Sequence, residues 1–126
     1  METEKMKKNI LIIDDSESIR ELVSTGLENA GYSVIKGVDG QDGLEKLKEG
    51  KFEMIITDLN MPIMDGIQFV KEVRSLDEYK YLPIILLTTE SQASKKQEAK
   101  EAGASGWIVK PFVEQKLLNV IRKFVR

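Results

Sequence analysis

The chain has 126 residues, room for one hydrophobic core, and its 41% apolar and 32% charged residues suit a globular protein. A net charge of −2 gives no broad attraction to nucleic acid or to an anionic membrane. With no Cys and no His, disulfides, thiolate or imidazole metal sites and His-based acid–base catalysis are all excluded.

Residues 1–7 are charged and unpatterned, and are expected to form a flexible lead-in to a single domain over 8–126. A first strand is predicted at Asn9–Asp14 around Ile10-Leu11-Ile12-Ile13. Ser16 then offers an N-cap to a helix carrying Ile19, Leu22, Val23, Leu27 and Ala30, with Gly31 as its stop. Tyr32–Val38 reads as a second strand, and Asp39 caps a short helix with Leu44 and Leu47 that ends at Gly50. Phe52–Asp58 is the third strand. After the loop Leu59–Met64, Asp65-Gly66 opens a helix with Ile67, Val70 and Val73 on one face. Pro83 introduces a fourth strand that closes at Thr88. Ser91 is the expected cap of a fourth helix, anchored only by Ala93, Ala99 and Ala102 and stopped by Gly103. Ser105–Val109 forms the fifth strand, and Val113, Leu117, Val120, Ile121 and Phe124 mark the last helix.

This alternation predicts an α/β domain, a doubly wound (βα)₅ parallel sheet of flavodoxin-like type. Each short apolar run is what a strand buried on both faces requires. No apolar run approaches the roughly 18 residues of a membrane span, so the expected location is the cytoplasm.

Ligands bind such sheets beyond the carboxyl ends of the strands, and five polar residues stand there: Asp14, Asp15, Asp58, Thr88 and Lys110. Asp15 or Ser16 alone would read as a helix cap, but Asp58 precedes a loop. Two carboxylates about 4 Å apart repel by roughly 4 kcal/mol at an effective dielectric of about 20, so three need a cation. An all-oxygen donor set suits Mg²⁺. Lys110 and Thr88 suit the oxygens of a phosphoryl group, and a carboxylate can accept that group as an aspartyl phosphate.

Taken together, Asp14-Asp15, Asp58 with Leu59-Asn60-Met61-Pro62-Ile63-Met64-Asp65-Gly66, Thr88, and Lys110-Pro111-Phe112 resemble the receiver domain of two-component response regulators. The resemblance implies a phosphoacceptor signalling domain rather than an enzyme, with Asp58 taking the group from a phosphohistidine of a sensor histidine kinase. It implies that Asp15, Asp58 and the Asn60 carbonyl hold Mg²⁺, with Asp14 assisting through water, and that Lys110 pairs with the phosphoryl oxygens or with Asp58. It further implies a cis Lys110–Pro111 bond, a Gly66 that admits close backbone packing, and a switch running from Thr88 to Trp107. Trp107 stands where the family usually has Tyr or Phe, and the competing reading is an indole packed permanently on the fifth strand. Val113 departs from the polar cap expected before the last helix.

Among receivers the chain most resembles the CheY-like chemotaxis members, through Asn60, Glu90 and the segment Gly103–Phe112. Asn60 and Glu90 are implied to set the phosphate lifetime. The implied partners are a CheA-like kinase and a flagellar motor switch protein or another phosphorylation-dependent target, met by a monomer through Lys95, Lys96, Trp107 and Lys123. The alternative is a phosphorelay intermediate passing its phosphate to a histidine phosphotransfer protein. A phosphate-ester hydrolase of similar chemistry would need an acid two residues after the nucleophile, where Asn60 cannot donate a proton. A flavodoxin-like cofactor carrier shares only the fold, since no Gly/Ser/Thr-rich cradle follows the first strand.

Overall fold

In the computed structural model, residues 8–89 and 93–125 are described. The expected alternation is present: β1 (Asn9–Ile13), α1 (Glu17–Asn29), β2 (Ser33–Gly37), α2 (Gly40–Glu49), β3 (Met54–Thr57), α3 (Gly66–Arg74), β4 (Ile84–Thr88), α4 (Ala93–Ala102), β5 (Gly106–Val109) and α5 (Glu114–Phe124). A single 3₁₀ turn at Asp77–Tyr79 precedes β4. The strands are up to two residues shorter at either end than their sequence patterns suggest. The expected lead-in and Ser91 cap lie outside the described residues.

All pairings are parallel, in the order β2-β1-β3-β4-β5. Alternating side chains explain why every residue of the central runs is apolar. Ile10, Ile12, Met54 and Ile56 pack toward Val23, Leu27, Leu117 and Ile121 of α1 and α5. Leu11, Ile13 and Ile55 face Leu47, Phe69, Val70 and Val73 of α2 and α3. A smaller cluster of Leu59, Ile67, Leu86 and Ala99 seats α4.

Three helices begin as their sequences suggest. Ser16, Asp39 and Asp65 each accept a hydrogen bond from the backbone N–H three residues on. Gly31 and Gly103 stop α1 and α4 with φ of 101° and 115°. Val113 precedes α5 without a side-chain cap.

Some apolar positions differ from the sequence reading. Leu22 is 61% exposed and Phe124 41% exposed, while Leu118 and Val125 are buried. In α1 the Ile19–Val23–Leu27 row faces the sheet, leaving Leu22 at the groove beside Phe112. Of the three alanines expected to anchor α4, only Ala99 is buried and Ala93 is exposed.

Two polar staples were not visible as patterns. The Tyr79 hydroxyl donates toward the Leu47 and Gly50 carbonyls at the end of α2. Arg74 donates to the Gly103 carbonyl through two nitrogens and to the Tyr79 carbonyl through a third.

Close packing at Gly66 gives a direct test. A Cβ there would collide with the Asp58 carbonyl oxygen and lie 2.9 Å from Leu59 Cα, both backbone atoms that cannot swing aside. Gly66→Ala should therefore destabilise the domain by about 1–3 kcal/mol. Urea denaturation would register it as a lower midpoint at unchanged slope, and an unshifted midpoint would contradict the packing.

Candidate functional site

Parallel register assembles the site. Ile13 lies opposite both Gly37 and Thr57, so Asp14 and Asp58 leave adjacent central strands side by side. The Asp58 N–H donates to the Ile13 carbonyl at 2.9 Å, and the Asp14 N–H to the Gly37 carbonyl at 3.3 Å. Carboxylate oxygens of Asp14, Asp15 and Asp58 lie within 4.8 Å of one another. Asp14 and Asp58 are buried; Asp15 is exposed.

Each buried carboxylate is oriented by its own neighbourhood. Asp14 Oδ1 accepts the Ser16 N–H at 2.9 Å, closing the turn into α1. Asp58 Oδ1 accepts the Leu59 N–H at 2.8 Å. Lys110 Nζ stands between the two, 3.0 Å from Asp14 Oδ2 and 3.6 Å from Asp58 Oδ1. Its nearer partner is thus Asp14, where the sequence directed attention to Asp58. Lys110 is delivered by β5, whose pairing with β4 continues through the Lys110 N–H donating to the Thr88 carbonyl at 2.8 Å.

Thr88 is fully buried at the end of β4, on the same edge of the sheet. Asn60 is exposed in the loop after Asp58, and Glu90 lies outside the described residues. The loop returns to α3 through the Gly66 N–H donating to the Leu59 carbonyl at 2.7 Å, with Ile63 at a φ of 72°. The Lys110–Pro111 peptide is cis. Trp107 is half-buried against the Leu59–Leu86–Ala99 cluster and lines a groove of about 180 Å³ with Lys96, Ala99 and Lys100. It sits one strand position opposite Leu86, three residues before Lys110.

The donor set fits a hard cation. Three carboxylates converge with no nitrogen or sulfur ligand, and one of them faces solvent, leaving room for water on the ion. A phosphoryl group entering from solvent would meet Asp58 with Lys110 beside it.

Residues 10–122 match the response regulator receiver domain family. Chemotaxis protein CheY-3 of Vibrio cholerae is 38% identical over 115 residues, spanning 90% of this chain and 88% of that protein. Chemotaxis protein CheY of Pseudomonas aeruginosa is 36% identical over 115 residues, spanning 90% and 93%. The solved structure of the chemotaxis protein CheY4 of Vibrio cholerae superposes with a TM-score of 0.91 at 46% identity, covering 94% of this chain and 99% of that one.

Burial pushes the Asp58 carboxyl above the usual carboxylate range, and the Asp14 charge adds to it; Lys110 and the Leu59 N–H pull the other way, and Asp15 pushes it further up. A carboxyl raised on folding binds more protons folded than unfolded. Its contribution to stability is therefore most favourable below its unfolded value of about 4 and is lost as pH rises through the folded one. Asp58→Asn should accordingly raise the melting temperature at neutral pH in chelator, with the gain vanishing toward pH of about 4. Adding Mg²⁺ to about 100 times its dissociation constant should stabilise the wild type by about 2.7 kcal/mol and the variant far less. A lower melting temperature for the variant in chelator would show that folding does not oppose this charge.

Proposed function

The chain belongs to the response regulator receiver family, and we propose that its Asp58 is the phosphoacceptor, charged by the phosphohistidine of a CheA-like sensor kinase. It is a CheY-like phosphoacceptor signalling protein rather than a catalytic enzyme. The convergence of three carboxylates with Lys110 at the carboxyl edge of the sheet carries the reading of the site.

Asp15, Asp58 and the Asn60 carbonyl would hold Mg²⁺, with Asp14 acting through water. The ion, when bound, offsets negative charge on the carboxylates and the phosphoryl oxygens. An Asp58 carboxylate oxygen attacks phosphorus, its bond to phosphorus forms as the histidine N–P bond breaks, and the imidazole leaves. Lys110 follows the charge: its ammonium, held between Asp14 and Asp58, lies where the phosphoryl oxygens arrive. Thr88 offers its hydroxyl to one of those oxygens, and Trp107 turns inward as that hydroxyl moves. Asn60 and Glu90 set how readily water removes the group.

The output reading is phosphorylation-dependent binding in chemotaxis, with a flagellar motor switch protein as target, through the surface of α4, β5 and α5 that carries Lys95, Lys96, Trp107 and Lys123. The similar chemotaxis proteins support it. No helix among the described residues is long and apolar enough to cross a membrane, and the cytoplasm is the compartment in which such a kinase would meet it.

Incubation with acetyl phosphate and Mg²⁺ should add one phosphoryl group by intact mass and shift the emission of Trp107, the sole tryptophan. Asp58→Asn should gain nothing, and Lys110→Ala should slow the reaction by roughly 10²-fold. Phosphorylation that persists in Asp58→Asn would refute the acceptor. Modification with unchanged emission would instead refute the role of Trp107.

A further inference from the structure

The three carboxylates of the site are not equally restrained. Asp14 is fixed by the Ser16 N–H and Lys110, and Asp58 by the Leu59 N–H and Lys110. Asp15 is exposed, and among the described residues its carboxylate has neither a hydrogen bond nor an ion pair, so only its backbone aims it at the other two. That backbone lies in a two-residue gap between β1, which ends at Ile13, and the Ser16 cap of α1.

One side chain spans the gap. Arg20, in the first turns of α1, folds back and donates from Nη1 to the Asp14 carbonyl oxygen at 2.6 Å. It is the one hydrogen bond on that carbonyl among the described residues. The carbonyl of Asp14, the N–H of Asp15 and the Asp15 Cα share a single rigid peptide plane, so holding the oxygen restricts how the plane that carries Asp15 can turn. A guanidinium–carbonyl bond this short is charge-assisted and strong. The same guanidinium also acts on Asp42 of α2. There burial works against the charge, while the Val38 N–H, Lys46 and Arg20 hold the carboxyl below its ordinary value. Arg20 forms no ion pair with any of the three carboxylates.

We infer that Arg20 is a positioning residue for the divalent-cation site: by clamping the Asp14–Asp15 peptide it holds the Asp15 carboxylate in the cluster. The inference rests on the metal reading above and adds a residue outside the carboxylate set.

Two physical roles for Arg20 predict opposite signs, which makes the test decisive. A positive charge that merely sits beside the acidic cluster repels a dication, so its removal would tighten binding. A clamp does the reverse. The experiment is calorimetric titration of the phosphate-free protein with MgCl₂ for wild type, Arg20→Ala, Arg20→Gln, Arg20→Lys and Asp15→Asn, with the melting temperature of each measured in chelator. Arg20→Ala and Arg20→Gln should bind Mg²⁺ at least about tenfold more weakly, the lower end for loss of an outer-shell partner. Arg20→Lys, which keeps a charged donor, should recover part of the loss. Equal or tighter binding by Arg20→Ala and Arg20→Gln overturns the inference while leaving the metal site intact, as does a lowered melting temperature with unchanged affinity. Should Arg20→Ala fail to fold, the comparison of Arg20→Gln with Arg20→Lys decides. Absence of Mg²⁺ binding by the wild type would instead bring down the metal reading, and this inference with it.

Discussion

Crowded negative charge at the carboxyl ends of β1 and β3 is the constraint on which the site depends. Two buried carboxylates and an exposed one share a space within 4.8 Å, with Lys110 the only cation ion-paired to them among the described residues. Side by side in this way, two such charges cost roughly 4 kcal/mol at an effective dielectric of about 20. The fold meets that cost through its core. Fully buried Ile10, Leu11, Ile12, Ile13, Ile55 and Ile56 lie on the two strands that carry the acids, each worth about 1.5–3 kcal/mol relative to exposure. Asp14 and Asp58 each stand one residue beyond these buried segments, which anchors the backbone of both to the core.

Rigidity alone would leave Asp58 inaccessible, and the β3–α3 loop addresses this. Asp58 is buried, but the chain turns away at once through the exposed Asn60, and the Gly66 N–H ties the loop back to the Leu59 carbonyl. Ile63 carries a φ of 72°, a region that a β-branched side chain occupies only under about 1–3 kcal/mol of strain. Its side chain is 76% exposed, so burial of that side chain does not offset the strain. The loop is held in place by its ends: Gly66, where no Cβ fits, and the Asp65 cap of α3.

Much of this could be read from the sequence because the fold is locally consistent. Buried parallel strands need uninterrupted apolar runs, caps need short polar side chains, and strand ends need little more than counting, which brought Asp14, Asp58, Thr88 and Lys110 to one edge. Pairing across the site was less visible. Lys110 lies nearer Asp14 than Asp58 because the Ser16 turn swings one Asp14 oxygen to the amide and leaves the other toward the ammonium, a matter of rotamer rather than pattern. Arg20, Arg74 and Tyr79 escaped notice for a related reason. Each acts by donating to a main-chain carbonyl, and a carbonyl has no letter in the sequence. Leu22 and Phe124 satisfy helical spacing yet are exposed, since spacing identifies a face and not how much of it the neighbouring element covers.

The same blindness to main-chain partners bears on α4, the element with the thinnest attachment to the core. Only Ala99 of this helix is buried, so apolar burial contributes little to its placement. Its C-terminal end is held differently. Arg74 of α3 donates to the Gly103 carbonyl at 3.0 and 2.8 Å, placing a cation at the negative end of the helix dipole. Burial lowers the pKa of that guanidinium, the mark of a charge taken out of water in exchange for these bonds and the one to Tyr79. Among the described residues the helix is therefore held at its C-terminal end by directional polar contacts and along its length by Ala99, with Ala102 partly buried against the core. Displacement of α4 relative to β5 and Trp107 would have to pivot about Gly103 or break the Arg74 contacts, which sets a direction for any motion coupled to the site at Thr88.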